Sequence, residues 1–215
     1  MSDLSTMTAR ARVLLQDTDG ARYSAAEIEE GLRHALAELG RALPLLCAAD
    51  LAVTQTGSEL ALVGLSGLSG VAAVQYPLDP ADPAGSPRLD GRTMCLWLED
   101  GPRLARSDGG HFEAGQTARL TYTRPPRLAG LDGATATTLP PDAETLLVNG
   151  AAGFAASFRA VALSESFGSH LSDGSETERL AKRYLDEFRR GVRELRAARG
   201  RAMLPYAADG AAWPG

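Results

Sequence analysis

The three histidines are the first candidates for chemistry, because an imidazole can ligate a metal ion or exchange a proton near neutral pH. His34, His111 and His170 lie in separate segments, and none stands in an H-x-x-x-H or H-E-x-x-H spacing. We therefore interpret each of them as an exposed or hydrogen-bonded polar residue. The sequence predicts no metal site and no cofactor.

Two short motifs resemble the loops of known sites but lack the residues that carry the chemistry. The run Gly64–Gly70, GLSGLSG, has no serine in the G-x-S-x-G pattern of a nucleophile elbow and no lysine for a phosphate loop. Asp17-x-Asp19-Gly20 begins like a calcium loop, but its twelfth position is Ile28 where a bidentate glutamate is needed. We interpret both motifs as turns.

Paired carboxylates, which a glycoside hydrolase requires, could be drawn from any of the 27 acidic residues. Their number therefore indicates no particular pair. The sequence predicts no catalytic residue, and we expect that the chain is not an enzyme. A cell-wall polysaccharide hydrolase is kept as an alternative.

The composition indicates a globular protein. The chain has 215 residues, 44% hydrophobic and 23% charged, and a net charge of -5. Cys47 and Cys95 are far apart in the sequence and lie among apolar neighbours, which predicts two buried thiols in a reducing compartment. The N-terminus lacks the pattern of a secretory leader, and the apolar window 146–163 contains Asn149 and Arg159. We expect neither export nor membrane insertion.

The N-terminal part predicts two helices. A short helix is expected from Thr8 to Gln16, with the threonine as its cap. Ser24-x-x-Glu27 is a capping box, and the apolar residues that follow at three- and four-residue spacing predict an amphipathic helix that ends near Pro44.

Between Leu51 and Arg124 the apolar period changes from 3.6 to 2, which predicts strands. The proline- and aspartate-rich stretch 77–92 predicts an exposed, semi-extended loop. The predicted strands are 59–63, 71–76, 93–98 and 117–123.

The C-terminal part predicts an antiparallel helical hairpin. Its first helix follows Pro140-Pro141 and runs to about Phe167, and its second helix begins at the capping box Ser175-x-x-Glu178 and ends near Arg201. The fold class is therefore α+β, a helical bundle with an inserted antiparallel β-sheet or small sandwich. The expected parts are N-terminal helices in 1–48, a β insertion in 49–126, a linker and helical hairpin in 127–202, and an extended tail in 203–215.

Charge is distributed unevenly along the chain. The segment 176–201 has a net charge of +4, whereas the rest of the chain has -9. A solvated helix face explains such a segment, and so does docking on an acidic partner or along nucleic acid. The tail adds the apolar side chains Leu204, Tyr206 and Trp213, which suit either a frayed terminus or anchors in a partner's pocket.

Taken in order, these segments resemble the head-to-tail adaptor (connector, head completion) proteins of tailed bacteriophages and related prophage elements. The order and spacing of the segments carry the resemblance. They are Arg12–Thr18, Tyr23–Ile28, Val74–Pro77, Leu120–Tyr122, Thr138–Asp142, Leu146–Ala156, and the final helix with Tyr184 and Phe188.

The resemblance implies a structural virion protein at the neck of the particle, made in the host cytoplasm. Twelve copies would form a ring under the portal protein, extend the channel for double-stranded DNA without reading its sequence, and carry a stopper, tail-tube or other tail protein below. It also implies that the C-terminal helix and tail reach the portal. The predicted portal-docking residues are Arg193, Arg196, Arg199, Arg201, Leu204, Tyr206 and Trp213. A host-type protein-binding module is the other alternative.

Overall fold

The computed structural model describes the backbone of residues 2–165 and 171–203, and the side chains of 2–164 and 174–199. The chain forms two compact units: the helical unit, Met1–Leu43 with Pro126–Gly215, and the β unit, Pro44–Pro125. The helices are α1 Leu4–Leu14, α2 Ala25–Ala42, α3 Pro141–Glu165 and α4 Leu171–Met203. The strands are β1 Leu45–Ala52, β2 Glu59–Ala61, β3 Gly70–Gln75, β4 Met94–Trp97, β5 Arg103–Arg106 and β6 Thr117–Arg124. The α+β class and the helical hairpin are confirmed.

Helix α1 begins earlier than Thr8, where the sequence predicts its cap. The Asp3 carboxylate caps the helix by accepting a hydrogen bond of 2.8 Å from the Thr6 amide. The additional turn contains Met7, which is fully buried in the core of the helical unit together with Ala11. A buried methionine among polar neighbours does not produce a helical pattern in the sequence.

Helix α2 begins at the predicted capping box. The Ser24 hydroxyl accepts a hydrogen bond from the Glu27 amide at 3.1 Å, and the Glu27 carboxylate accepts one from the Ser24 amide at 2.7 Å. The helix ends at Ala42. The next residue, Leu43, precedes Pro44, and a residue before proline disfavours the helical conformation.

Helix α3 packs between α2 and α4, and small residues allow this close approach. A Cβ atom on Gly31 of α2 would lie 2.6 Å from the carbonyl oxygen of Ala151. A Cβ atom on Gly150 of α3 would lie 2.7 Å from Ala35, and one on Gly153 would lie 2.8 Å from Leu185 of α4. Any larger residue at these positions would force the helix axes apart.

Helix α4 begins at Leu171, before the capping box that the sequence predicts at Ser175. The S-x-x-E pattern lies inside the helix, where Glu176 and Glu178 are exposed. Polar residues at this spacing on a solvated face cannot be distinguished from a cap by sequence. The predicted end of α3 near Phe167 lies outside the described residues.

The β unit contains two three-stranded antiparallel sheets, ordered β1-β6-β3 and β2-β5-β4. Inward-facing residues of both sheets form one core, because side chains alternate between the two faces of a strand. This core contains Leu60 and Leu104 from one sheet and Val74, Leu120 and Tyr122 from the other.

The sequence misses strands β1 and β5, since none of the predicted strands covers them. β5 has a single buried residue, Leu104, beside two arginines, so that no alternation of apolar residues is visible. β1 begins at Leu45, before position 49 where the β insertion is expected to begin. The sequence does not predict this strand because the continuous apolar run 45–49 conceals the period of 2.

The C-terminal end of the stretch 77–92 is hydrogen-bonded to strand β3 and to the residue that follows it. The Tyr76 amide donates to the Pro87 carbonyl at 2.9 Å, and the Leu89 amide donates to the Val74 carbonyl at 2.9 Å. These bonds pair the end of the stretch with the edge of β3. The expected exposure is confirmed for most of the stretch, in which Leu78 and Ser86 are the buried residues.

We predict that Gly31→Ala lowers the free energy of unfolding by about 1–3 kcal/mol, although alanine is intrinsically favoured over glycine in a helix by about 1 kcal/mol. The new methyl group would meet the Ala151 carbonyl, which cannot move without α3. Gly174→Ala in α4 is the control, because no atom lies within 4 Å of its added Cβ. This variant should be up to about 1 kcal/mol more stable than the wild type in urea unfolding. A Gly31→Ala protein at least as stable as the wild type would contradict the packing described.

Candidate functional site: the exposed face of helix α4

One side of α4 is committed to the core of the helical unit. Its buried residues recur at three- and four-residue spacing, so that they form one stripe against α3. They are Ala181, Tyr184, Phe188 and Val192. The opposite side of the helix is left to solvent and carries its charged residues.

Three polar contacts attach α4 to the other three helices of its unit. The contacts are Tyr184 Oη to the Leu14 carbonyl at 2.8 Å, Arg189 Nε to Glu38 Oε1 at 2.9 Å, and Arg199 Nη2 to Asp142 Oδ1 at 3.2 Å. The hydrogen bond to Glu38 raises the pKa of Arg189. Exposed ion pairs contribute about 0–1 kcal/mol each, so the two ion pairs of Arg189 and Arg199 position α4 more than they stabilise it.

The predicted docking residues fall into three groups. Arg193 and Arg196 are exposed, and neither has a side-chain partner in the described part of the chain. Arg199 is half-buried and paired with Asp142 in the first turn of α3. Arg201 lies in the helix, but its side chain is outside the described residues. Leu204, Tyr206 and Trp213 also lie outside the described residues.

The free arginines belong to a longer set of cations, which we call the cationic face. Each of its members is exposed and has no ion-pair partner among residues 2–164 and 174–199, whereas Arg183 pairs with Glu187 at 3.7 Å. Its members are Arg179, Lys182, Arg190, Arg193 and Arg196. The exposed acids of the same helix are Glu176, Glu178, Asp186 and Glu194. The unpaired cations continue towards the C-terminal end of α4.

A second surface feature, which no motif in the sequence predicts, lies on α2 and α3. A shallow depression of about 480 Å³ opens there, and we call it the acidic depression. It is lined by Ala26, Glu27, Glu29, Glu30 and Arg33 of α2 and by Phe158 of α3.

Arg33, the cation that lines the acidic depression, is paired with three carboxylates. Arg33 donates through Nε to Asp132 at 2.7 Å, through Nη1 to Glu30 at 3.0 Å, and through Nη2 to Glu29. The hydrogen bond to Asp132 is the largest of the effects that raise the pKa of Arg33. One guanidinium therefore faces three carboxylates, and these four side chains leave an excess of two negative charges.

Two half-buried aromatic rings of α3 lie beside this depression. Phe154 and Phe158 contact the His34 ring, with centroid distances of 5.3 and 5.5 Å. The His34 Nε2 atom is 3.4 Å from Glu30 Oε1. Both phenylalanines belong to the apolar window 146–163, so the sequence does not indicate that their rings are partly exposed.

The carboxylate of the calcium-like motif is used inside the fold. Asp17 is 1% exposed and accepts hydrogen bonds from the amides of Arg22 at 2.8 Å and Tyr23 at 2.9 Å. The Arg12 guanidinium lies 3.3 Å from its second oxygen and also donates to the Tyr23 carbonyl. Asp17 therefore joins the end of α1 to the start of α2, as the interpretation of the motif as a turn requires.

The two cysteines are not buried as predicted, since Cys47 is half-buried and Cys95 is exposed among the described residues. No group of three or more histidine, cysteine, aspartate or glutamate side chains is placed there to hold a metal ion. One described helix, α3, is long and apolar enough to cross a membrane. The core helix of a soluble protein can have the same length and apolarity.

We predict that Asp17→Ala lowers the free energy of unfolding at neutral pH by about 3 kcal/mol, because the buried Tyr23 amide, the part-buried Arg22 amide and the Arg12 guanidinium lose their acceptor. Asp19→Ala, at an exposed position of the same turn, should change it by less than about 0.5 kcal/mol. Urea titrations of both variants and the wild type test this. Equal stability of the two variants would contradict a structural role for Asp17.

The same pair of proteins should show a defined pH dependence. Burial raises the pKa of Asp17, but the two amides and Arg12 outweigh it, so that the pKa lies below its ordinary value of 3.8. A lowered pKa in the folded state stabilises the fold above the unfolded value and loses this effect as the pH falls through the folded value. The difference between the wild type and Asp17→Ala should therefore be constant above about pH 5 and shrink below pH 3.8.

Comparison of the chain with protein-family models and with curated proteins finds no match. Among solved structures, the chain is similar to one in a structure described as "Neck of empty GTA particle computed with C6 symmetry". The similarity has a TM-score of 0.29 and 16% sequence identity, over 75% of this chain and 78% of that chain. At this TM-score we draw nothing about function from the likeness.

Proposed function

We propose that the protein is a structural component of a phage-like particle: a head-to-tail adaptor that binds the portal through the C-terminal end of α4 and the tail that follows. Copies of the chain form a ring under the portal, extend the DNA channel, and present a platform to the tail protein below. The observation that carries the proposal is the pair of exposed arginines Arg193 and Arg196, which have no partner among the described side chains, on a helix that is anchored along its length.

The architecture supports this proposal through the order of its parts. Helices α1 and α2 precede the β unit, and the α3–α4 hairpin follows it and packs back on them. This is the order of segments on which the resemblance to the adaptor family rests. An insertion between elements of one helical core leaves two separate surfaces, which an adaptor between two partners needs.

The charges on α4 support the assignment of the portal-facing end. Cations without internal partners remain hydrated in the free chain, and binding an acidic surface gives them the counter-charges that the fold does not supply. Arg199 has a different role in this proposal. Its ion pair with Asp142 fixes the last described turns of α4 against α3, so it positions the arginines that precede it.

The proposal assigns no catalysis to the chain. It assigns DNA a passive part, because a body with a net charge of -9 outside residues 176–201 would repel the phosphate backbone and let it slide. Incubation with purified cell wall is expected to release no soluble fragments. Release of fragments would favour the hydrolase alternative.

We predict that the double variant Arg193→Glu with Arg196→Glu weakens binding to the portal ring of the same genome at least about tenfold, because two attractive charges become repulsive. Co-sedimentation at several salt concentrations measures this, and wild-type binding should weaken as salt rises. The control is Arg88→Glu with Arg92→Glu, two exposed arginines of the β unit with the same change in net charge. Equal binding by both double variants would contradict the assigned docking face.

A truncation separates the helix from the tail. We predict that a chain ending at Arg201 loses portal binding that the full-length chain shows, because Leu204, Tyr206 and Trp213 act as apolar anchors. Retained binding would restrict the contact to α4 and remove the tail from the site. Absence of binding by the full-length chain would contradict the adaptor proposal and favour the protein-binding module.

A further inference from the structure

An apolar stripe on α3 is left partly uncovered at the edge of the helical unit. Phe154, Phe158 and Val161 follow one another at i, i+4 and i+7, so they lie on one side of the helix. Val161 is 58% exposed, and both rings are half-buried. We call these three residues the α3 stripe; it adjoins the acidic depression through Phe158.

The charges around the α3 stripe determine which kind of surface can cover it. If two copies met by a two-fold contact through their stripes, Glu29 and Glu30 of one copy would face Glu29 and Glu30 of the other. Like charges in apposition oppose such a contact. A cationic surface therefore complements these acids better than a second copy of the same face.

The same chain carries such a surface on a different side of the helical unit. The buried stripe of α4 faces α3, so the cationic face of α4 points away from the α3 stripe of its own copy. Lys182 and Arg190 are exposed members of that face without a partner among the described residues. They can meet the acidic depression only in a second copy.

We propose that copies of this chain associate head to tail, with Lys182 and Arg190 of one copy seated at the acidic depression and α3 stripe of the next copy. The inference rests on the proposed function in that an adaptor ring needs a contact of this type. It adds the two surfaces that form the contact, and it leaves Arg193 and Arg196 for the portal. Because the two surfaces differ, each copy keeps one free surface for a further copy, which closes a ring when the rotation allows.

The chemistry of the two surfaces suits this contact. A lysine or arginine above the Phe158 ring gains a cation–π interaction, and the neighbouring carboxylates of Glu29 and Glu30 offer hydrogen-bond acceptors. The α3 stripe supplies the apolar centre, and the charges form the polar rim. Since the rim is exposed, association should weaken as a rising salt concentration screens its charges.

Two charge-reversal variants test the inference in sedimentation velocity over a range of protein concentrations. Variant A is Glu29→Lys with Glu30→Lys, and variant B is Lys182→Glu with Arg190→Glu. We expect the wild type to self-associate with rising concentration, and each variant alone to do so at least about tenfold less tightly. An equimolar mixture of A and B should associate again, because each reversed surface then meets its complement.

Two further variants complete the test: one controls for the change in net charge, and the other disrupts the α3 stripe. Glu99→Lys with Glu113→Lys changes two exposed acids of the β unit, has the net charge change of variant A, and should associate like the wild type. Val161→Lys leaves the ion pairs of Arg33 intact and should lose association, which provides a second test if variant A does not fold.

Three results would overturn the inference: a wild type that stays monomeric at every concentration, a variant B that associates like the wild type, or a mixture of folded A and B that does not associate. Portal co-sedimentation separates these from failure of the proposed function. A monomeric chain that binds the portal contradicts only the head-to-tail contact. A self-associating chain that does not bind the portal contradicts only the adaptor proposal.

Discussion

The close packing of α3 between α2 and α4 is the constraint on which the rest of the helical unit depends. A Cβ atom added at Gly31, Gly150 or Gly153 would lie 2.6, 2.7 or 2.8 Å from an atom of the neighbouring helix, which is closer than packed atoms allow, so the three helices share one dense core. This core fixes the direction in which each helix presents its other side. It thereby places the cations of α4 and the acids of α2 on separate surfaces of one unit.

The polar contacts of the helical unit then define which charges are available for partners. Arg33, Arg189 and Arg199 are engaged with acids of neighbouring elements, and Asp17 is enclosed in the α1–α2 turn. What remains is a row of cations on α4 that have no ion-pair partner in the described part of the chain, and an excess of negative charge at the acidic depression. Both proposals use these remaining charges: one directs the end of α4 to the portal, and the other directs its middle to a neighbouring copy.

The sequence predicts those elements whose signals are local. The capping box at Ser24 and the alternation of residues 117–123 specify α2 and β6 closely, because caps and periodicity act within a few residues. The start of α1 and strand β5 depend on burial against distant residues, as Met7 and Leu104 show. The exposed position of Arg193 follows from the helical period, whereas the pairing of Arg199 with Asp142 needs the tertiary fold.

Particles produced from a genome that carries this gene offer the most direct test of an adaptor. Electron microscopy of particles made with and without the gene would show where assembly stops. We predict that its deletion gives heads and tails that do not join, with the heads otherwise normally formed, and that the chain supplied in trans restores complete particles. Complete tailed particles in the absence of the gene would contradict a structural role at the junction of head and tail.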